Sequence, residues 1–301
     1  GLQWPALARS WRQLGGIEHA GERSDVLLGE RLACEWIRTH TPAGDDYSVL
    51  AHWDRGHALE WAADRPTVAT NFGSYVGLDS YRDPARFFLA EEALAGRAIL
   101  EARRARYVFV PGSLPGQVES FVRIADPSLA GRYLLARDGG VVTSPRWLST
   151  LGARLLNGGA QLAPPEVPLE ELSPPIGFLR LVHVSPYRDA RFSDPRTKEP
   201  LSAAFVWEHV PGATVAARGA PEELVRVDLA LRYPAADYGL ELAFVARCDE
   251  SGVARLWIPY STEATNGDAV ALRARWTIGA RSGELAIPES AVQGGAPIEL
   301  P

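Results

Sequence analysis

The feature that most constrains the fold is a proline-rich stretch, 163–177, at which the hydrophobic pattern of the chain changes. The stretch reads APPEVPLEELSPPIG, and its five prolines cannot donate backbone hydrogen bonds. Helix-like and strand-like segments alternate before it, whereas apolar residues recur at every second position after it. We therefore predict a linker at 163–177 between two domains, 1–162 and 178–301.

The first domain is predicted to be an α/β core. Residues 27–39 have helical spacing, with Leu28, Leu32, Trp36 and Ile37 on one face. The other predicted helices are 54–63, 83–104, 117–124 and 146–156, and the predicted strands are 47–53, 67–70 and 107–110. This alternation is typical of a mixed, mostly parallel sheet covered by helices.

The second domain is predicted to be an all-β sandwich or barrel. Its clearest strand is 224–233, in which Val225, Val227, Leu229 and Leu231 face one way. Residues 270–278 repeat this pattern through Leu272, Ala274 and Trp276. The further predicted strands are 178–184, 203–210, 240–247 and 253–258, and turn sequences separate several of them.

Composition narrows the class of protein. Hydrophobic residues make up 46% and charged residues 23% of the chain, as in soluble globular proteins, and the net charge of −6 argues against a nucleic-acid partner. No apolar stretch approaches the roughly 18 residues of a membrane span, and no signal-peptide pattern is visible. Because the chain starts at Gly1 and contains no Met, we expect Gly1 to be a cut or processed end. Cys34 and Cys248 are interpreted as buried thiols rather than a disulfide.

The densest group of side chains with chemical potential is 52–57, which reads HWDRGH and lies where a predicted strand ends and a helix begins. Ligands bind near the carboxyl ends of strands in α/β sheets. Asp54 could accept hydrogen bonds from a ligand there, and Trp53 offers a flat face and one N–H donor. The alternative is that Asp54 only caps the helix and Trp53 only packs in the core.

A minor alternative is a metal hydrolase that uses His52, Asp54 and His57, although their spacing is not a standard ligand pattern. The sequence contains no Gly-x-Ser-x-Gly elbow, no phosphate-binding Gly-x-x-x-x-Gly-Lys loop and no His-Glu-x-x-His pair. We therefore predict no catalytic residue and no metal ligand in this chain.

Several segments, taken in order, resemble the C-terminal soluble domain of oligosaccharyltransferase catalytic subunits of the bacterial and archaeal type. The resemblance begins with WIRTHTP at 36–42, continues with YSVLAHWDRGH at 47–57 and RPTVATNFG at 65–73, and includes the helix and strand of 92–110. Later segments are FLRLVHVS at 178–185, VWEHVPGATV at 206–215 and IPYST at 258–262. Each segment is a modest match, but all of them follow the order of the family along one chain, which argues against coincidence.

The resemblance implies transfer of a lipid-linked oligosaccharide to Asn of an acceptor polypeptide. It places the acceptor-binding site at His52, Trp53, Asp54, Arg55 and Gly56, with Asp54 and Trp53 binding the Ser/Thr hydroxyl of the sequon. It also implies that the catalytic acids and a divalent metal, Mg or Mn, lie in a membrane domain that this chain lacks. The full-length protein would then be a membrane protein with this part extracytoplasmic or periplasmic.

The motif departs from the family at two positions, since His52 replaces its first Trp and Arg55 replaces its Tyr. The stretch 117–124, comparable to a second pocket-lining helix of the family, also lacks its Asp-x-x-Lys pattern. Two alternatives stay open at this point. One is a membrane glycosyltransferase with a non-sequon acceptor, and the other is a stand-alone carbohydrate- or partner-binding protein.

Overall fold

The structure is a computed structural model that describes residues 20–137, 140–160, 173–194, 198–263 and 266–301. Residues 161–172, which include most of the proline-rich stretch 163–177, therefore lie outside the described residues. The α-helices of four residues or more in the described ranges are α1 (Ala20–His40), α2 (Leu78–Leu89), α3 (Ala93–Ala102), α4 (Val118–Ala125), α5 (Ala130–Tyr133), α6 (Leu151–Leu156) and α7 (Glu289–Gly294). Short helical turns lie at Trp53–Arg55, Gly56–Ala58 and Leu59–Ala63. None of the helices in the described ranges is both long and apolar enough to cross a membrane.

The core sheet has four strands in the order β1 (Ser48–Leu50), β2 (Ala105–Pro111), β8 (Ala204–His209) and β5 (Leu179–Val184). The predicted mixed α/β class is confirmed, but only β1 and β2 pair in parallel, and β8 is antiparallel to both β2 and β5. The predicted strand at 67–70 is reduced to one parallel bridge between Thr67 and Val49. The sheet therefore takes strands from both sides of 163–177, and the proposed division of the chain there stays a prediction.

The remaining strands are β3 (Leu134–Arg137), β4 (Gly140–Thr143), β6 (Arg188–Ser193), β7 (Pro200–Ser202), β9 (Ala213–Arg218), β10 (Leu224–Tyr233), β11 (Tyr238–Arg247), β12 (Val253–Ile258), β13 (Val270–Ile278), β14 (Arg281–Glu284) and β15 (Pro297–Glu299). From β9 onward they form two sheets, ordered β11-β10-β13-β14 and β12-β9-β15, which share one apolar core. The predicted all-β region is confirmed. Leu272 is exposed, contrary to prediction, because a bulge between Ala230 and Leu231 shifts the pairing of β13 by one residue.

Two helix predictions need correction. The predicted helix at 83–104 is two helices, because Ala90 is extended and accepts a hydrogen bond from the backbone of Leu151, so α2 ends there. In α1 the buried face contains Gly29, Glu30, Ala33 and Cys34, whereas Leu28, predicted to face the core, is exposed. Small residues are needed on this face, since a Cβ atom at Gly29 would lie only 2.6 Å from Ala203 Cβ.

The core sheet and the all-β region that follows it are joined by buried polar contacts. Arg180 on β5 donates to Glu208 on β8 at 2.7 and 2.9 Å and to Glu289 on α7 at 2.9 Å. Tyr260 accepts a hydrogen bond from the backbone nitrogen of Leu181 at 2.9 Å. Three segments that carried the resemblance, 178–185, 206–215 and 258–262, therefore meet at this junction.

Candidate acceptor-binding site

The five predicted site residues follow directly from the end of β1, the short parallel strand at the edge of the core sheet. The chain leaves the strand after Leu50 and enters its first helical turn at Trp53, with His52 in an extended conformation just before it. This is the carboxyl end of a strand in an α/β layer, which is the position that the sequence analysis predicted. The location of the motif at a strand-to-helix junction is therefore confirmed.

His52 is fully buried and connects the motif to helix α4. Its Nδ1 lies 2.8 Å from Asp54 Oδ1, and its Nε2 lies 3.4 Å from the hydroxyl of Ser120. The edge of the imidazole also contacts Phe121, with ring centroids 5.0 Å apart. Helix α4 thus forms one wall of the site although it lacks the family's Asp-x-x-Lys pattern, and Ser120 is the polar group that it supplies.

Asp54 does not occupy the cap position of either helical turn that begins here, since the residues at those positions are His52 and Arg55. One carboxylate oxygen instead faces His52, and the other accepts a hydrogen bond from Arg55 Nη1 at 2.6 Å. Burial alone would raise the pKa of Asp54, but the hydrogen bond from His52 and the positive charge of Arg55 outweigh it and lower the pKa. Asp54 is therefore an ionised, oriented carboxylate rather than a helix cap.

Arg55 has a second partner that the sequence analysis missed, Glu30 on helix α1. Arg55 Nε lies 2.8 Å from Glu30 Oε2, and Nη2 donates to Glu30 Oε1 at 3.0 Å. A signal for Glu30 was present in the sequence, since it is a charged residue at helical spacing from Val26, Cys34 and Ile37, all of which are buried. A carboxylate on the apolar side of a helix requires a cation, and Arg55 supplies it.

Trp53 packs beside the carboxylate, with its ring 5.4 Å from His52 and 6.2 Å from Tyr81 between centroids. Its indole N–H is shielded from solvent and has no hydrogen-bond partner among the described residues. An unsatisfied buried donor costs roughly 1–3 kcal/mol. The site therefore contains a donor that a ligand with an acceptor atom could satisfy.

Gly56 is required by a close approach of two backbone segments. A Cβ atom here would lie 2.6 Å from the Cα of Thr70 and would also collide with the carbonyl oxygen of Ala69. The side chain of Asn71, on the same segment, donates to the backbone oxygen of Asp54 at 3.4 Å and accepts from the backbone of His57. These contacts fix the turn that carries Trp53 and Asp54.

The metal-hydrolase alternative is not supported by the positions of its three ligands. His57 lies away from the His52–Asp54 pair, with Nδ1 3.4 Å from Glu60 and its ring edge on Phe72. Within the described part of the chain, no three His, Cys, Asp or Glu side chains are placed to hold a metal ion. Cys34 and Cys248 are both buried free thiols, as interpreted from the sequence.

Comparisons with known proteins agree with this architecture. Two protein-family models match: the AglB core domain over residues 33–114, which contain the whole motif from His52 to Gly56, and the archaeal glycosylation protein B long peripheral domain over residues 212–298. Together they span more than half of the chain. The start of the second match at residue 212 coincides with the beginning of the two sandwich sheets at β9.

A curated relative is dolichyl-phosphooligosaccharide-protein glycotransferase 2 of Archaeoglobus fulgidus, 30% identical over 92 residues, which are 28% of this chain and 15% of that protein. Two solved structures of an A. fulgidus oligosaccharyltransferase share the fold at 17% identity and cover 90% of this chain. One is the complex with Zn and sulfate, with a TM-score of 0.71 and 46% of that chain covered. The other is tethered to an acceptor peptide containing the NVT sequon, with a TM-score of 0.72 and 43% covered.

The chain thus spans less than half the length of the proteins that it matches. The two family models, the curated relative and the shared fold nevertheless lead to the same assignment. The chain belongs to the AglB family of oligosaccharyltransferases and contains two of its domains, the core domain and the long peripheral domain.

Proposed function

We propose that this chain is the acceptor-recognition part of a membrane oligosaccharyltransferase that transfers a lipid-linked oligosaccharide to Asn of a polypeptide. In this proposal Asp54 and Trp53 contact the acceptor, His52 and Arg55 hold the Asp54 carboxylate, and Gly56 permits the turn. The part described here would lie on the extracytoplasmic side of the membrane. The named activity of the curated relative supports the reaction, and the NVT peptide in one solved structure supports a peptide acceptor.

The observation that carries the proposal is that the oriented carboxylate of Asp54 lies next to the unsatisfied indole N–H of the preceding residue, Trp53. A hydroxyl group is both a donor and an acceptor, so one Ser or Thr hydroxyl can donate to Asp54 and accept from Trp53. Each Asp54 oxygen has a protein donor, which leaves one lone pair on each oxygen for the ligand. Because the indole nitrogen is shielded, the partly buried Trp53 ring must turn for the hydroxyl to reach it.

The chemistry of glycosyl transfer is assigned to parts of the enzyme beyond this chain. One solved relative is a complex with Zn and sulfate, which supports a metal in the family, and we expect the divalent metal, Mg or Mn, in the membrane domain. The described residues hold no cluster that fits a metal ion. The role that we propose for this chain is binding and orientation of the acceptor.

A binding experiment tests the proposal directly. Fluorescent Asn-x-Thr and Asn-x-Ala peptides are titrated against the chain, and Asn-x-Thr should bind at least about tenfold more tightly, since Ala leaves both site groups unpaired. The Asp54→Asn variant should lose this difference while it stays folded, which its thermal melting curve checks. Equal binding of the two peptides by the wild-type chain would refute the recognition of a hydroxyl and favour a non-sequon acceptor.

A further inference from the structure

Arg55 is shared between two carboxylates, which changes how its charge acts on the site. Two of its nitrogens face Glu30, at 2.8 and 3.0 Å, while a single nitrogen reaches Asp54 at 2.6 Å. With both carboxylates ionised, the group of Glu30, Asp54 and Arg55 carries one net negative charge. Without Glu30 the same group would be neutral.

Burial of the Glu30 carboxylate is energetically unfavourable unless its charge is compensated. Its side chain is only 11% exposed, and it lies on the apolar face of α1 beside Ala33 and Cys34. A second buried acid, Asp189, acts on it repulsively but is itself paired with Arg191 at 2.7 Å. Burial of a carboxylate in such surroundings requires a dedicated cation, and removal of one partner from such a pair is strongly destabilising.

We infer that Glu30 is a positioning residue for the acceptor site, which holds the guanidinium of Arg55 on helix α1 and so keeps the Asp54 carboxylate available to a neutral hydroxyl. This inference rests on the proposed function of Asp54. It also gives a reason for Arg55 at a position where the family has Tyr: the added cation is balanced by a carboxylate from a distant part of the chain.

The geometry of arginine explains how Glu30 limits the pairing of Arg55 with Asp54. A guanidinium released from Glu30 is free to pair with Asp54 through two parallel hydrogen bonds, which is the preferred arrangement for Arg and a carboxylate. Such a pair would take the remaining lone pair of Oδ1 in addition to the one that Arg55 already uses on Oδ2, because His52 occupies the other lone pair of Oδ1. A ligand would then have one lone pair left instead of two. Glu30 prevents this by accepting a hydrogen bond from Nη2 and by placing its negative charge 2.8 Å from Nε.

Three variants of the chain test the inference with the Asn-x-Thr peptide: Glu30→Gln, Arg55→Gln and the double variant. Glu30→Gln should weaken binding by at least about tenfold, which is the loss expected when a ligand hydrogen bond is blocked. The double variant should bind more tightly than Glu30→Gln, since no guanidinium then competes for Asp54, but less tightly than wild type because the hydrogen bond that holds the carboxylate is lost. Glu35→Gln, on the same helix but paired at the surface with Arg31, is the control and should bind like wild type.

The rescue separates positioning from a merely structural role, because a structural loss at Glu30 would persist in the double variant. Melting temperatures confirm that each variant is folded. Full peptide affinity in Glu30→Gln, or no recovery in a folded double variant, would overturn the inference.

A ligand-free measurement separates failure of this inference from failure of the proposed function. Carboxyl-detected NMR follows the titration of Asp54 in the wild-type chain and in Glu30→Gln. If Glu30 holds Arg55 away, its removal should lower the pKa of Asp54 further. An unchanged titration of Asp54 would show that Glu30 does not restrain the guanidinium of Arg55, whatever the result of the peptide experiment.

Discussion

Glu91 binds two arginines and a tyrosine at once, and replacing it by Gln should destabilise the chain in a pH-dependent way. Its carboxylate accepts hydrogen bonds from Arg132 at 2.7 and 2.9 Å, from both reachable nitrogens of Arg146, and from the hydroxyl of Tyr133 at 2.9 Å. These contacts join the break between α2 and α3 to α5 and to the turn before α6. Gln keeps the shape of the side chain but removes the charge.

The magnitude follows from the pKa of Glu91. Burial opposes ionisation, but the hydrogen bonds from Arg146, Arg132 and Tyr133 outweigh it and lower the pKa from 4.5 to about 2. A shift of about 2.5 units corresponds to at most about 3.4 kcal/mol. Because both guanidinium groups are about half exposed, solvent screening reduces this to roughly 1–2 kcal/mol.

The sign of the pH dependence follows from the direction of the shift. A depressed carboxyl pKa contributes stability that is fully present above about pH 4.5 and is lost as the pH falls toward 2. The difference in unfolding free energy between wild type and Glu91→Gln should therefore be constant from pH 7 to pH 5. It should shrink by roughly two-fifths at pH 3.5.

Urea denaturation of both proteins across this pH range measures the effect. Glu92→Gln is the matched control, since Glu92 is the adjacent residue and is exposed, so it should leave the unfolding free energy nearly unchanged. A Glu91→Gln deficit that is the same at pH 7 and pH 3.5 would show that the loss comes from packing rather than from charge.

Three further predictions concern the fold around the site. Gly56→Ala should cost about 2 kcal/mol or more, because the added methyl group meets backbone atoms of Ala69 and Thr70, whereas Gly131→Ala, with open space around it, should be neutral by thermal melting. Arg180→Leu should cost about 3–5 kcal/mol in urea denaturation, since it leaves the buried Glu208 without its closest cation, and Arg226→Leu at an exposed pair should cost less than about 1 kcal/mol. The fragment 178–301 should self-associate in sedimentation experiments because it exposes the edge of β8 that pairs with β2, so a well-behaved monomer would support division at 163–177 instead.

Periodicity predicted much of this architecture because local patterns determine it. The alternation at Val225, Val227, Leu229 and Leu231 indicates a strand with one buried face, and all four side chains are buried. The candidate site was predicted for a similar reason, since a short apolar strand followed by Asp54 is visible without any long-range information. The predicted single helix at 83–104 was wrong because of a non-local contact. The carbonyl oxygen of Ala90 accepts a hydrogen bond from the backbone nitrogen of Leu151.

The partners of the site could not be predicted because they come from distant segments. Glu30 precedes Arg55 by 25 residues and Ser120 follows His52 by 68 residues. No local rule connects these positions, although a charged residue on the apolar face of α1 is a signal that could be searched for in other sequences. The pairing of β2 with β8 could not be predicted either, since the two strands lie on opposite sides of the proline-rich stretch.

The pairing of β2 with β8 also has a consequence for biosynthesis. Tyr107 and Glu208, which meet in this pair, are separated by 101 residues, so the centre of the core sheet cannot close until the ribosome has released the chain beyond residue 209. Such distant pairings slow folding, because a long loop must be closed before any contact compensates for it. The emerging polypeptide would expose one apolar strand edge during this interval, which is a natural binding site for chaperones. A premature stop codon anywhere before residue 204 would leave β2 without β8. The short strand β1, which pairs with β2 and precedes the proposed acceptor motif, would then lose part of its support.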